Sequence, residues 1–377
     1  MPVYLPMRSE PCRTRRVTCV DDVTLGFRST LPKALIPPTR MFHIRNETGA
    51  HLKDSSERSF PEDSNPDPKN KEEMPPPLAI TDTILLSSGH SIPQLGFGCY
   101  RSPPDVTGAS VTTALNAGYR HIDTAQVYKN EQEVGDAVRR FCNTPEGGGG
   151  GGGGGNKVGR REVWVTTKLR DAPGRLGKKR VGNVGDLVAE SVRKVAGEGE
   201  EGYVDLFLIH SPFAGPEGRA VQWKALEALK REGKVRALGV SNFGVRHLEE
   251  LAGYAEEPIT VNQIEVHPWC QQKEIVEYCR QHGIAIQAYS PLAQGTRRHD
   301  PVLTAIAQEL DRTWAQVLIR WSLQHGFIPL PKSDTPERIA SNAQVYDFAL
   351  SSAQMGRLDG LDEREAGRVC WNPTGCP

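Results

Sequence analysis

The chain has no surplus of charge. Its 377 residues hold 46 basic and 46 acidic side chains, a formal net charge of +0. That balance removes any global electrostatic pull toward nucleic acid or an anionic membrane. No apolar run approaches the length that spans a bilayer. The eight cysteines (Cys12, Cys19, Cys99, Cys142, Cys270, Cys279, Cys370, Cys376) include no C-x-x-C pair. Scattered thiols in a long chain fit a reducing compartment better than a disulfide framework. The opening "MPVYLPMRSEPCRTRR" lacks a continuous apolar segment, so a secretory signal is not expected. The stretch "GFGCYR", Gly96 to Arg101, lacks the third glycine of a dinucleotide fingerprint.

What is present falls into two parts. Residues 1–77 read as a disordered extension. The segment from Asn46 to Pro77 is polar, charged and proline-rich, with almost nothing to bury. Arginines up to Arg45 leave a mitochondrial transit peptide as the alternative to the expected cytoplasmic location. Met74 is an alternative start. The folded part is expected over 78–377, a size typical of one (β/α)8 barrel. It is interrupted by a glycine run, Gly147 to Gly155, which reads as a flexible insertion at about 144–160.

Short apolar runs alternate with helical patterns along this part. "TILLSSGHSIPQL" predicts a hairpin around Ser88 and Gly89. Strands are predicted at Leu95–Cys99, His121–Ala125, Val163–Lys168, Val204–His210, Val235–Ser241, Thr260–Val266, Ala285–Tyr289 and Phe327–Pro331. Helical spacing appears between them, as in Leu187, Val188, Val192 and Val195. Strands apolar on both faces indicate a parallel sheet covered by helices, and the count favours closure into an α/β TIM barrel.

Polar groups recur at the strand ends: Asp123, Lys168, His210, Ser241 with Asn242, Gln263 with Glu265, Tyr289 with Ser290, and Lys332 with Ser333. In a closed parallel barrel these ends share one face, where the groups can satisfy one another and a ligand. Tyr128 lies five residues beyond Asp123. A phenol ordinarily titrates near 10 and is a poor acid unless tuned. A nearby ammonium is expected to lower it, and Asp123 to hold Lys168 charged. With His210 directing a carbonyl toward Tyr128, the set suits protonating an oxygen that gains negative charge. The hydride donor must then come from a cofactor.

In this order the chain resembles an aldo-keto reductase, from about Leu78 to the C-terminus. The stretches that carry the resemblance are "GYRHIDTAQVYKNEQEVG", "KVRALGVSNF" and "LPKSDTPERIASNAQV". The resemblance implies that the N-terminal hairpin closes the barrel floor. It implies Tyr128 as general acid, Lys168 and Asp123 tuning it, and His210 orienting the carbonyl. It places Ser241, Asn242 and Gln263 on the nicotinamide carboxamide and Tyr289 under its ring, with Ser290 and Leu292 among the cofactor contacts. Lys332, Ser333, Arg338 and Asn342 match the group around the adenosine 2′-phosphate, favouring NADPH/NADP+.

Three positions depart from the family's pattern: Ser211 after the histidine, Arg170 after the Lys-Leu pair, and Ser341 where glutamate is usual. The first two make the substrate pocket more polar and suit small carbonyl compounds. Tyr100, Ser211, Trp269 and Trp371 are the expected pocket residues. Glu265, His267 and Cys270 lack the second spaced pair of a metal site. The basic cluster "GKKR", Gly177 to Arg180, reads as a solvated loop. A monomer or weak oligomer is expected. Two other readings stay open: a weakly or non-catalytic NADP(H)-sensing subunit, and a barrel that uses Lys168 as a Schiff-base nucleophile.

Overall fold

A computed structural model describes residues 77–144, 158–170, 183–198 and 202–377. The extension up to 76, the glycine run and the basic "GKKR" cluster lie outside the described residues. The strands are β1 (Thr83–Leu85), β2 (Ser91–Pro93), β3 (Phe97–Gly98), β4 (His121–Asp123), β5 (Trp164–Leu169), β6 (Val204–Ile209), β7 (Val235–Ser241), β8 (Val261–Glu265), β9 (Ala285–Tyr289) and β10 (Ile328–Pro329). The helices are α1 (Pro104–Asn116), α2 (Glu131–Asn143), α3 (Val184–Ala196), α4 (Gly215–Arg231), α5 (Val245–Ala252), α6 (Lys273–Gln281), α7 (Pro301–Leu310), α8 (Trp314–Gln324), α9 (Pro336–Ala343) and α10 (Ser352–Asp359).

Strands β3 to β10 pair in parallel and in sequence order, giving an eight-stranded sheet. The two outer strands meet: Gly96 N–H donates to the Pro329 carbonyl at 3.1 Å and Gly98 N–H to the Pro331 carbonyl at 3.0 Å. The sheet therefore closes into the (β/α)8 barrel expected from the sequence. The seam is tight. A Cβ at Gly98 would stand 3.1 Å from the Leu330 carbonyl oxygen.

Alternation with period two sorts the strand residues. Val165, Leu169, Phe207, Ile209, Leu238 and Val240 join the large outer core under the helices. Trp164, Leu206, Leu208, Ala237, Val261 and Ile328 form a smaller inner cluster with Leu86 and Ile92 of the hairpin. The antiparallel β1–β2 hairpin thus plugs the end where the strands begin. The same alternation sends Asp123, Lys168, Ser241, Gln263 and Tyr289 inward near the other end.

The helices form for local reasons. In α2 the buried Val134, Ala137, Val138 and Phe141 follow the i, i+3, i+4, i+7 spacing, with Glu131 and Glu133 in the first turn and Arg140 in the last. In α8 Thr313 and Gln316 complete a capping box. Among the described residues no helix is long and apolar enough to cross a membrane.

Candidate active site

The C-terminal ends of the strands gather the predicted groups. Lys168, the penultimate residue of β5, is fully buried. Its Nζ donates to Asp123 Oδ1 at 2.6 Å, to the Thr124 carbonyl at 2.9 Å and to Tyr128 Oη at 3.3 Å. Asp123 Oδ2 accepts from Gln263 Nε2 at 2.8 Å. The His210 ring meets the Tyr128 ring edge-on, with centroids 5.8 Å apart. Asp123, Tyr128, Lys168 and His210 therefore stand in one cluster.

Tyr128 does not end a strand. It sits in a 3-10 turn, Gln126–Tyr128, after β4. That turn is held on both sides. Gln126 Nε2 donates to the Leu187 carbonyl and Ser191 Oγ of α3 at 2.9 and 2.8 Å. On the other flank, Asn130 accepts from Thr124 Oγ1 at 2.7 Å and donates to the Cys99 and Ser102 carbonyls at 3.0 and 3.1 Å. The turn that carries the phenol is thus held by side chains on both flanks.

Electrostatics depart from the sequence expectation. Burial pushes the Tyr128 phenol well above its ordinary range, and the Asp123 carboxylate adds to the rise. Sequence reasoning counted the ammonium and not the desolvation. Burial also pushes Asp123 up and Lys168 down, while their mutual contact draws each back toward its charged form. His210 is pushed down to about 3, first by burial and then by the Lys168 charge, so its imidazole is neutral at physiological pH.

Four of the predicted cofactor residues, Ser241, Asn242, Gln263 and Tyr289, form a second, connected group. Ser241 Oγ donates to the Gln263 carbonyl at 2.9 Å. Asn242 Nδ2 donates to the His210 carbonyl at 2.9 Å and to Ser241 Oγ at 3.1 Å, and Tyr289 Oη donates to Asn242 Oδ1 at 2.9 Å. Gln263 Nε2, shared between Asp123 and Gln287 Oε1, links this group to the first. Ser290, with φ of +48°, turns the chain after β9 toward Leu292, and its Oγ lies 3.3 Å from Cys370 Sγ. Lys332 and Ser333 lie in the loop from β10 to α9, and Arg338 and Asn342 lie on α9. Arg338 is exposed and Asn342 buried.

The expected pocket residues divide. Tyr100, half exposed, packs on Tyr128 with centroids 5.1 Å apart. Ser211 is buried beside His210. Trp371 packs on Phe213, centroids 5.1 Å apart, and both are half exposed. Trp269 is 1% exposed; its Nε1 donates to Asp300 at 3.2 Å and its ring neighbours His267. Trp269 thus gives its indole N–H to Asp300, and its ring lies near His267 and Arg297. Sequence reasoning missed Phe213, whose signal was an aromatic three residues past His210. Glu265 is occupied by protein: it accepts from His267 at 3.0 Å and from the Val369 and Cys370 amides at 2.7 and 3.3 Å.

A phenol backed by a buried ammonium and flanked by a neutral imidazole can deliver a proton to an oxygen placed between them. The profile of the aldo/keto reductase family matches residues 94–363. The glyoxal reductase of Bacillus subtilis (strain 168) is 39% identical over 298 residues, 79% of this chain and 98% of its own length. An uncharacterized oxidoreductase of Saccharomyces cerevisiae is 38% identical over 295 residues, 78% of this chain and 98% of its own. Among solved structures, that of a Bombyx mori aldo-keto reductase in complex with NADP matches with a TM-score of 0.66 at 30% identity, over 77% of this chain and 95% of that one. Sequence and fold agree along most of the described length, and the chain belongs to the aldo/keto reductase family of oxidoreductases.

Proposed function

We propose that this protein reduces small aldehydes or ketones to alcohols with NADP(H), and that Tyr128 is the general acid. The observation that carries the reading is the Lys168 ammonium, which touches Asp123, the Thr124 carbonyl and the Tyr128 hydroxyl at once.

The donor set suits the cofactor. Ser241, Asn242 and Gln263 offer hydroxyl and amide groups for the carboxamide, and Tyr289 an aromatic face. Lys332, partly exposed, and Arg338, exposed, offer cations that a phosphate can reach from solvent, with Ser333 and Asn342 beside them. When bound, NADPH supplies the hydride, and its two electrons, to the carbonyl carbon. Tyr128 gives its phenolic proton to the carbonyl oxygen, so the product leaves as a neutral alcohol. The Lys168 ammonium stabilises the phenolate that remains until water returns the proton. Asp123 keeps that ammonium charged and aimed. His210, neutral, orients the carbonyl oxygen toward the phenol. We assign the half-exposed rings of Tyr100, Phe213 and Trp371, with the Ser211 hydroxyl next to His210, to the substrate pocket, a set that suits a small carbonyl substrate. Among relatives, the glyoxal reductase name points to the same class.

The Schiff-base alternative is weakened by the burial of Lys168 and its three hydrogen bonds. NADPH oxidation at 340 nm, with a panel of aromatic, sugar-derived and dicarbonyl substrates, tests the proposal. Turnover that depends on Tyr128 supports it. Tight NADPH binding without turnover on any carbonyl would favour the sensor reading instead.

A further inference from the structure

The loop between β10 and α9 carries an anion among its cations. Asp334 lies two residues after Lys332, and three groups hold its carboxylate. Ser102 Oγ donates to Oδ1 at 2.6 Å, Ser110 Oγ to the same oxygen at 3.2 Å, and Lys332 Nζ to Oδ2 at 2.6 Å. The serines belong to the middle of α1 and the loop before it, more than 200 positions away in sequence, so they fix the carboxylate whether or not Lys332 stays. The Asp334 side chain is 27% exposed and that of Lys332 30%. Burial pushes the carboxyl up, but the bonds from Lys332 and Ser102 outweigh it and hold it below its usual value. It is an anion at neutral pH.

This anion changes the loop's preference. A phosphate that approaches Lys332 meets an ammonium whose field is already partly cancelled, and a fixed negative charge next to it. A ribose hydroxyl meets the opposite situation. A carboxylate has about four acceptor positions; three donors occupy Asp334, and a hydroxyl can donate to what remains.

We propose that Asp334 is a cofactor-selectivity residue. It weakens the hold on a 2′-phosphorylated adenosine and admits NAD(H) beside NADP(H). The preference for NADP(H) is then smaller than Lys332, Ser333 and Arg338 alone would give. Asp334 touches no reacting atom; it acts on binding. This inference rests on the reading that the loop and α9 face the adenosine end of the cofactor.

The test is equilibrium binding to the full chain without substrate, read by quenching of tryptophan fluorescence, for NADPH and NADH separately. The variants are Asp334→Asn, Asp334→Ala and Arg338→Ala, each checked by thermal melting. For both Asp334 variants, NADPH is expected to bind roughly 3- to 30-fold tighter, the scale of one screened charge repulsion. NADH affinity is expected to fall by about 2- to 10-fold, since the ribose hydroxyl loses its charged acceptor, and NADPH binding to become steeper in salt. Arg338→Ala is expected to weaken NADPH selectively. If it does, while the Asp334 variants leave the NADPH/NADH ratio unchanged or loosen both cofactors alike, the selectivity role is wrong and the phosphate clamp stands. If Arg338→Ala weakens both equally, the clamp itself fails, and the inference with it.

Discussion

The two ends of the barrel solve the same local problems with different residues. At the floor, where helices return to strands, the chain turns through glycines in the left-handed region: Gly118, Gly233, Gly283 and Gly326, with φ of +99°, +74°, +65° and +74°. At the mouth, the turns that leave the strands use Arg101, Lys129, Asn242 and Ser290 in that region, with φ of +58°, +60°, +67° and +48°. Glycine adopts this conformation without steric cost, whereas a residue with a Cβ carries roughly 1–3 kcal/mol of strain. The floor is relaxed. The mouth uses glycine at Gly215 and Gly295, but in these four turns keeps side chains where backbone comfort would favour glycine, and Asn242 there bonds Ser241, His210 and Tyr289.

Buried aspartates repeat the contrast. Asp205, at the start of β6, accepts from Arg160 at 2.8 Å, Arg236 at 2.9 Å and the Val165 amide at 3.0 Å. The second Arg160 nitrogen ends on the Val163 carbonyl, so the cluster spends its donors on protein. Asp123 has one charged partner, Lys168, and that partner passes a further bond to the Tyr128 phenol. The difference is where the hydrogen bonds end: the floor cluster closes on the fold, and the mouth pair ends on the Tyr128 hydroxyl.

The largest expected effect falls at the mouth. Tyr128→Phe should lower turnover by about 10²- to 10⁴-fold, the usual worth of a positioned acid. NADPH binding, measured by fluorescence, should stay within about twofold, since the ring and its packing remain. Near-normal turnover would remove Tyr128 from the reaction. The floor aspartate should behave in the opposite way. Asp205→Ala strands two guanidinium groups and one amide; because both arginines reach solvent, the expected loss is about 2–3 kcal/mol of unfolding free energy in urea. Turnover per folded molecule should not change. A turnover loss without destabilisation would erase the distinction between the two clusters.

A smaller effect tests the turns. A methyl group at Gly233 would meet open space, with nothing within 4 Å, so Gly233→Ala isolates backbone strain. It should cost about 1–2 kcal/mol in a denaturant titration and leave activity unaltered. No loss of stability would mean that this floor turn does not depend on its glycine.

Much of this was legible in the sequence because it rests on short-range pattern. Alternation within each strand and the change to helical spacing pointed to the barrel, and inward-pointing polar residues at strand ends pointed to Asp123, Lys168 and Gln263. Strand limits were less legible. The predicted Leu95–Cys99 and Phe327–Pro331 shrink to Phe97–Gly98 and Ile328–Pro329, because the closing seam is held by only a few backbone bonds between them. Partners distant in sequence were not legible at all. Asp205 reads as one polar residue within "YVDLFLI" until Arg160 and Arg236 surround it. Asp334 stands inside a motif that carried the resemblance, yet its serine partners come from the first helix and the loop before it. Phe213 and Trp371 meet only through the path of the C-terminal segment.

The smallest expected signal concerns the one physical sign that sequence reasoning reversed. An ammonium beside a phenol lowers its pKa in water-accessible surroundings, and on that ground Tyr128 was expected to titrate early. In the folded protein burial acts on the phenolate more strongly than Lys168 does, and Asp123, which holds the ammonium, is itself an anion near the phenol. A raised pKa means that the folded protein keeps this proton to higher pH than a free tyrosine. The phenol is then fully protonated across the physiological range, and in the proposed mechanism the ammonium acts when charge develops during proton transfer, not before. Phenolate absorbance near 295 nm, taken as the difference between the free wild-type protein and Tyr128→Phe, should therefore show no transition below about pH 10. A transition near 8 would mean that Lys168 outweighs burial, and that the mouth, unlike the floor, is wet enough for the sequence-level electrostatics to hold.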